Sequence, residues 1–302
     1  LPYRDVPSMP RLPHRYFETE VREVEVHIAS MGRVRTHVRV YGQGPPLLLV
    51  HGFMTTSYSW RYAMLPLGEH FTLFMPDLAG CGRTEKPRGP YTPAAYVEFL
   101  QSLLKSLDLY GIPAIGNSLG GYLAMQLALH DPGALSRLVN LHSPGLPTRR
   151  MHALRRALDV LPGWKRALGA VISLSPYRWV HRNVHYYDET LKSRQEHREY
   201  GDPLGTQEGL AAFLRMLNET VDVRAMARFE DTLRSVKRFP IPLQLVYARE
   251  DPMVPPSVGE RLHALLPDAE MVWLDQASHF AHVDATERFV QAVLPFLKHA
   301  ER

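Results

Sequence analysis

The chain has 302 residues, 45% of them apolar and 22% charged, with a formal net charge of +4. The mild charge gives no case for a nucleic-acid partner. The single cysteine, Cys81, rules out an intramolecular disulfide framework, and no apolar run approaches the roughly 20 residues of a membrane span. Such a chain fits one large α/β domain or a core with an insertion. The N-terminus lacks the apolar stretch of a signal peptide, so the cytoplasm is the default compartment. Because the sequence opens at Leu1 rather than methionine, a removed leader stays open.

Residues 1–20 contain four prolines and read as an extended arm. Val21 to Ile28 and Val34 to Tyr41 alternate apolar and polar residues, the pattern of an antiparallel pair with one wet face. Leu47-Leu48-Leu49-Val50 is a continuous apolar run suited to a central strand covered on both sides, and it ends at His51-Gly52-Phe53. A helix is expected around Trp60 to Leu67. A strand follows from Phe71 to Met75, then a loop from Asp77 to Arg83, then a helix from Thr92 to Leu107. Further strands read at Leu138–Leu141, Leu243–Tyr247 and Met271–Leu274, with helices at Ser257–Leu266 and Thr286–His299 between and after the last two. Strand and helix alternate, which implies a mostly parallel sheet with helices on both faces. Between about residues 146 and 235 only helical periodicity appears. The division is therefore a core of residues 1–145 and 236–302 and a helical cap at 146–235.

The organising stretch is Ile112-Pro113-Ala114-Ile115-Gly116-Asn117-Ser118-Leu119-Gly120-Gly121. An apolar strand stops at Gly116 and a helical pattern starts at Leu119, which puts Ser118 at the apex of a sharp turn. This is the G-x-S-x-G nucleophile elbow, in which glycines stand where side chains would strike the neighbouring backbone. The bland alternative is a serine that only caps the helix. A serine hydroxyl needs a base and a third group that orients the base. Those partners belong just beyond later strands, at the carboxyl edge of the sheet. Ala248-Arg249-Glu250-Asp251-Pro252 follows one such strand, and Asp275-Gln276-Ala277-Ser278-His279-Phe280 follows the next. The chain order Ser118, Asp251, His279 is the one expected for this elbow. Glu250 competes with Asp251, and His282 and His142 compete with His279.

With these motifs the chain resembles the α/β-hydrolase superfamily, in a serine-nucleophile form with a helical cap. The resemblance covers nearly the whole chain from His51-Gly52 to His279. It implies a mostly parallel eight-stranded sheet with helices on both faces. The stretches Val50 to Arg61 and Asp77 to Pro87 are most similar to the haloalkane dehalogenase and epoxide hydrolase branch. The chemistry departs from that branch, whose members attack with an aspartate where this chain has Ser118. Dehalogenases carry a tryptophan and an asparagine where Leu119 and Phe53 stand here, and epoxide hydrolases a proline in place of Met54.

The resemblance implies Ser118 as nucleophile, His279 as base and Asp251 as the orienting acid, with backbone N–H groups of Phe53 and Leu119 as the oxyanion hole. Phe53, Met54 and Asn117 are expected beside the substrate. The leading expectation is a serine hydrolase acting on a carboxylic ester with a small to medium apolar acyl group. The alternatives are a meta-cleavage C–C bond hydrolase, familiar for Gly-Asn-Ser followed by Gly-Gly, and a binding member of the fold with little turnover. The Gly-rich loop of the C–C hydrolases is missing, with Phe53-Met54-Thr55 in its place. His51 is expected to brace the oxyanion loop, and Cys81 to be inert. No residues have metal-ligand spacing, and no cofactor is expected. Arg149, Arg150, Arg155, Arg156, Lys165 and Arg166 make the start of the cap basic. A solvated charged face over an apolar underside is the favoured reading of it, with weak membrane-surface contact as the rival. Stable membrane insertion is not expected, and the chain is read as a monomer or homodimer.

Overall fold

The computed structural model describes residues 1–220 and 222–299. Eight strands form one sheet: β1 (Glu20–Ile28), β2 (Gly32–Tyr41), β3 (Pro46–Val50), β4 (Thr72–Pro76), β5 (Ile112–Asn117), β6 (Leu135–Leu141), β7 (Leu243–Ala248) and β8 (Glu270–Leu274). Their order across the sheet is β1-β2-β4-β3-β5-β6-β7-β8. β1 pairs antiparallel with β2 and β2 antiparallel with β4, and every later pairing is parallel. The burial of each strand follows from its place. β1, at the edge, buries little beyond Val26 and Ile28, whereas β7 is buried at all its positions. A strand covered on both faces has no use for alternation, which explains the apolar run Leu47–Val50 in β3 and the mostly apolar β7, where Gln244 is the one polar residue.

Among the described residues twelve α-helices complete the fold: α1 (Met64–Gly68), α2 (Pro93–Ser106), α3 (Leu119–His130), α4 (Arg149–Val160), α5 (Trp164–Leu174), α6 (Pro176–Asn183), α7 (Arg194–Gly201), α8 (Gln207–Thr220), α9 (Val223–Ser235), α10 (Pro256–Leu265), α11 (Ala281–Asp284) and α12 (Thr286–Lys298). Their starts are written locally. The side chains of Thr92, Thr148, Ser175, Ser193 and Asp222 each accept a first-turn N–H, and Pro93 and Pro176 occupy the first helical position. One expected helix differs. In place of a helix from Trp60 to Leu67 there is a 3-10 turn at Ser57–Trp60, then the short α1. Pro66 is the reason: it has no N–H to give the preceding turn, so the helix cannot extend back to Trp60.

Helices α4 to α9 lie between β6 and β7 as one helical insertion. It is fastened to the sheet by a buried ion pair, Arg61 with Glu196 of α7, to which the Tyr186 hydroxyl also donates. The N-terminal arm adds a second fastening. The backbone N–H groups of Arg194 and Gln195 donate to the carbonyls of Pro7 (2.8 Å) and Ser8 (3.1 Å). Tyr16 is buried, its hydroxyl 2.7 Å from that of Ser57 on the sheet side. The arm expected to be extended is thus a strap with 3-10 turns at Tyr3–Asp5 and Tyr16–Glu18.

Candidate active site

Register alone brings the loops of interest together. Val50 pairs with Gly116, Asn117 with Leu141, Leu141 with Val246 and Ala248 with Leu274. The residues just beyond those strands therefore emerge side by side at the carboxyl edge: His51-Gly52, Ser118, His142, the loop to Asp251, and the loop to His279. That edge is where open α/β sheets bind ligands.

Ser118 sits in a strained backbone conformation, φ 52° and ψ −117°, which costs of order 1–3 kcal/mol for a residue with a side chain. Its N–H donates to the Leu141 carbonyl at 2.7 Å and its carbonyl accepts from Tyr122 at 3.0 Å, which hold the turn. The turn needs glycine around it. A Cβ on Gly116 would lie 2.5 Å from the Gly121 nitrogen, and one on Gly120 would overlap the Val50 carbonyl oxygen. Although Ser118 occupies the N-cap position of α3, its side chain makes no capping hydrogen bond. The hydroxyl is left free of the helix, and the capping alternative fails.

His279 and Asp251 meet, Nδ1 to Oδ2, at 2.7 Å, both buried. The other carboxylate oxygen accepts from the N–H groups of Met253 (2.7 Å) and Val254 (2.9 Å). Burial works to raise the Asp251 carboxyl, but the His279 ring beside it and the donated hydrogen bonds outweigh that and hold it below its ordinary value. An ionised Asp251 keeps the proton on His279 Nδ1 and leaves Nε2 as the basic nitrogen. The rivals lie elsewhere. Glu250 and Asp275 are exposed, with Asp275 paired to Arg249 at 3.1 Å. His282 is buried against Trp60, and burial drives it far below the ordinary histidine value.

Two neighbours act on the backbone of His279. Its carbonyl accepts from Asn117 Nδ2 at 3.1 Å and from His142 Nδ1 at 3.0 Å. A carbonyl only accepts, so His142 carries its proton on Nδ1. The His142 ring lies 5.6 Å from that of His279, and burial pushes its pKa down to about 4. Asn117 is the residue expected beside the substrate. It is fully buried, and its amide nitrogen is turned to the histidine loop.

His51 braces the next loop. Its Nδ1–H donates to the Gly52 carbonyl at 2.8 Å, and its Nε2 accepts from the Leu78 N–H at 2.9 Å. The Gly52 carbonyl also accepts from the Thr55 hydroxyl at 3.0 Å. This turn presents Phe53, and the Phe53 ring stacks on Phe213 of α8 with centroids 5.1 Å apart. Met54, at φ 64°, lines a small cavity between this loop, the Gly80–Gly82 loop and α8. Leu119 begins α3, so its N–H has no partner within the helix. Cys81 is buried, and burial raises its thiol to about 12, which makes it inert.

Among the described residues, His142, Asp251 and His279 crowd three ligand-capable side chains, with their donor atoms all within 4.8 Å of one another. One nitrogen of each histidine is engaged, His279 Nδ1 by Asp251 and His142 Nδ1 by a carbonyl, and His142 Nε2 has no partner among the described residues.

The sequence pattern of the alpha/beta hydrolase family matches residues 47–292. The chain belongs to that family. It is 26% identical over 270 residues to the 2-hydroxy-6-oxo-2,4-heptadienoate hydrolase of Pseudomonas putida, which covers 88% of this chain and 94% of that one. It is 29% identical over 270 residues to the pimeloyl-[acyl-carrier protein] methyl ester esterase of Vibrio cholerae, covering 85% of this chain and 96% of that one. In three dimensions it is similar to a meta-cleavage product hydrolase from Pseudomonas fluorescens, with a TM-score of 0.72, 22% identity and coverage of 94% and 100%. A thermophilic esterase from Thermogutta terrifontis gives a TM-score of 0.73 at 21% identity, covering 92% and 98%. The chain is an α/β hydrolase, an eight-stranded member with a helical cap.

The residues that sequence reasoning missed are braces. His142 entered it only as a rival base, yet its position one residue beyond a parallel strand was a usable signal. The partnership of Arg61 with Glu196 had none, because the two lie 135 positions apart on different units of the fold.

Proposed function

We propose that this hydrolase cleaves carboxylic esters through an acyl-enzyme on Ser118. The observation that carries the reading is the strained Ser118, its hydroxyl withheld from the helix cap, on the same sheet edge as the buried Asp251–His279 pair. In this mechanism the Ser118 oxygen attacks the ester carbonyl while His279 Nε2 takes its proton. The tetrahedral oxyanion is met by the N–H groups of Phe53 and Leu119. His279 then returns the proton to the leaving alcohol, and water repeats the sequence on the acyl-enzyme. Asp251 keeps the imidazole in the working tautomer and stabilises the imidazolium. Residues 146–235 serve as the lid, and Phe53 against Phe213 forms the apolar wall on which the acyl or aryl group packs.

The choice of bond rests on charge. A meta-cleavage dienone brings a carboxylate into the site, and burying it unpaired would cost several kcal/mol. The buried cations among the described residues have other tasks. Arg61 pairs with Glu196, Lys192 with Glu189, and Arg39 and Arg137 donate to the carbonyls of Tyr16 and Phe296. The loop at Phe53 and Met54 is apolar instead. The C–C reading draws on the meta-cleavage relatives and on Gly116-Asn117-Ser118.

Steady-state turnover of p-nitrophenyl acetate, butyrate and octanoate, set beside a meta-cleavage dienone, tests the proposal. The ester reading expects hydrolysis of the esters and little of the dienone. Efficient dienone cleavage with weak ester turnover would replace it.

A further inference from the structure

The helical insertion carries an apolar face that its own fold does not use. Helix α5 packs inward through Leu168, Gly169 and Ile172, with Gly169 against the side chains of Leu210 and Leu214 of α8. The outer side of such a helix is ordinarily polar. Here Ala167, Ala170, Val171 and Leu174 are exposed, at the i, i+3, i+4, i+7 spacing of one stripe. Val171 is 54% exposed and Leu174 87%. The last residue of α4, Val160, adds to this at 79% exposed, and Leu161 in the turn to α5 at 58%. Single exposed apolar side chains are ordinary, but a stripe of them at helical spacing marks a surface that is covered in use.

The charge around the stripe says what covers it. Lys165 and Arg166 open α5, and Arg149 and Arg156 are exposed on α4. Asp159 is the only acid between residues 149 and 187, and it is paired with Arg155 at 3.0 Å. A second copy of the chain would set these basic residues against themselves. A soluble acidic protein would answer the charge but gives no reason for Leu174 to stand in water. A membrane with anionic headgroups answers both. No helix among the described residues is long and apolar enough to cross a membrane, so contact would be made by lying in the interface.

We propose that the α4–α5 hairpin is a docking surface for an anionic lipid bilayer. Val171 and Leu174 enter the headgroup boundary, and Lys165 and Arg166 face the phosphates. The same helix α8 that α5 packs on carries Phe213 against Phe53. Docking therefore places the apolar side of the site next to a reservoir of apolar esters, a consequence that rests on the ester reading, whereas the docking itself does not.

The test is flotation of the full chain with phosphatidylcholine vesicles, with and without phosphatidylserine, at low and high salt, with no turnover involved. Binding is expected to the phosphatidylserine vesicles only, and to weaken with salt. Val171→Asp with Leu174→Asp should abolish it. Lys165→Gln with Arg166→Gln should weaken it more than tenfold, at about fivefold for each charge removed. All four side chains are exposed, so the thermal midpoints of both variants should match that of the parent. Absence of binding at low salt would overturn the proposal, as would binding that both variants retain. Self-association abolished by the same substitutions, without vesicle binding, would make the hairpin a contact between copies and overturn it too.

Discussion

The ring of His142 and the backbone of His279 are joined by a hydrogen bond of 3.0 Å, Nδ1–H to carbonyl. It crosses from the end of β6 to the loop after β8, and Asn117 adds a second donor from the end of β5 at 3.1 Å. The His279 imidazole, the proposed base, is therefore held at three points: Asp251 on its ring, and Asn117 and His142 on its backbone.

Removing one of those points should loosen the imidazole without removing it. His142→Phe keeps the bulk and deletes the donor, and should cost about 1 kcal/mol of stability with a kcat roughly fivefold to tenfold lower. KM should change little, because His142 is wholly buried. His142→Gln, which can still donate, should recover part of the loss. Stopped-flow acylation and thermal unfolding measure the two effects, and an unchanged kcat in His142→Phe would release His142 from this role.

His142 also predicts an acid limb of stability. Burial lowers its pKa from the ordinary 6.5 to about 4; the smaller effect of the Asp251 charge opposes this, and that of the His279 ring adds to it. Between those values the unfolded chain binds a proton that the folded chain refuses. Stability from this group is thus complete above about pH 6.5 and is lost as pH falls toward 4, by up to about 1.4 kcal/mol per pH unit. His142→Gln should flatten the fall in that window. Chemical denaturation at a series of pH values would detect it, and parallel curves for parent and variant would contradict it.

The three strand-end acids should separate by phenotype. Asp251→Asn should lower kcat by on the order of 10⁴-fold, as the same change does in a serine-protease triad, with the fold intact. Asp77 accepts from the Ser57 N–H and hydroxyl and from the Arg83 N–H at 2.7–2.8 Å. Asp77→Asn should therefore destabilise the chain by about 1–3 kcal/mol and reduce activity through the loops that it ties. Asp275→Asn, at an exposed surface pair, should be nearly silent. Circular dichroism melts paired with ester kinetics separate the three.

What the sequence displays is whatever repeats locally. Ser118, Asp251 and His279 were legible because each follows an apolar run by one loop, and parallel strands collect such loops at one edge. The helical insertion was legible from its periodicity. The bracing contacts of His142 and Asn117 were not, since their partners depend on which strands are neighbours, here β5 on β6 in the register that ends at Asn117 with Leu141. The outward stripe of α5 was hidden for another reason. Leu168 and Ile172 form one apolar face and Val171 and Leu174 another, and periodicity does not say which turns inward. The basic cap was expected to be a charged face over an apolar underside, and the structure places apolar side chains on the outside as well.

The proposed mechanism stands or falls with the free hydroxyl of Ser118 as nucleophile. Labelling the protein with a fluorophosphonate and locating the adduct by peptide mass spectrometry tests it most directly, with Ser118→Ala alongside. One adduct is expected, on Ser118, and none on a folded Ser118→Ala protein that has lost ester turnover. An adduct on another residue, or a Ser118→Ala protein that hydrolyses esters at the parent rate, would contradict it.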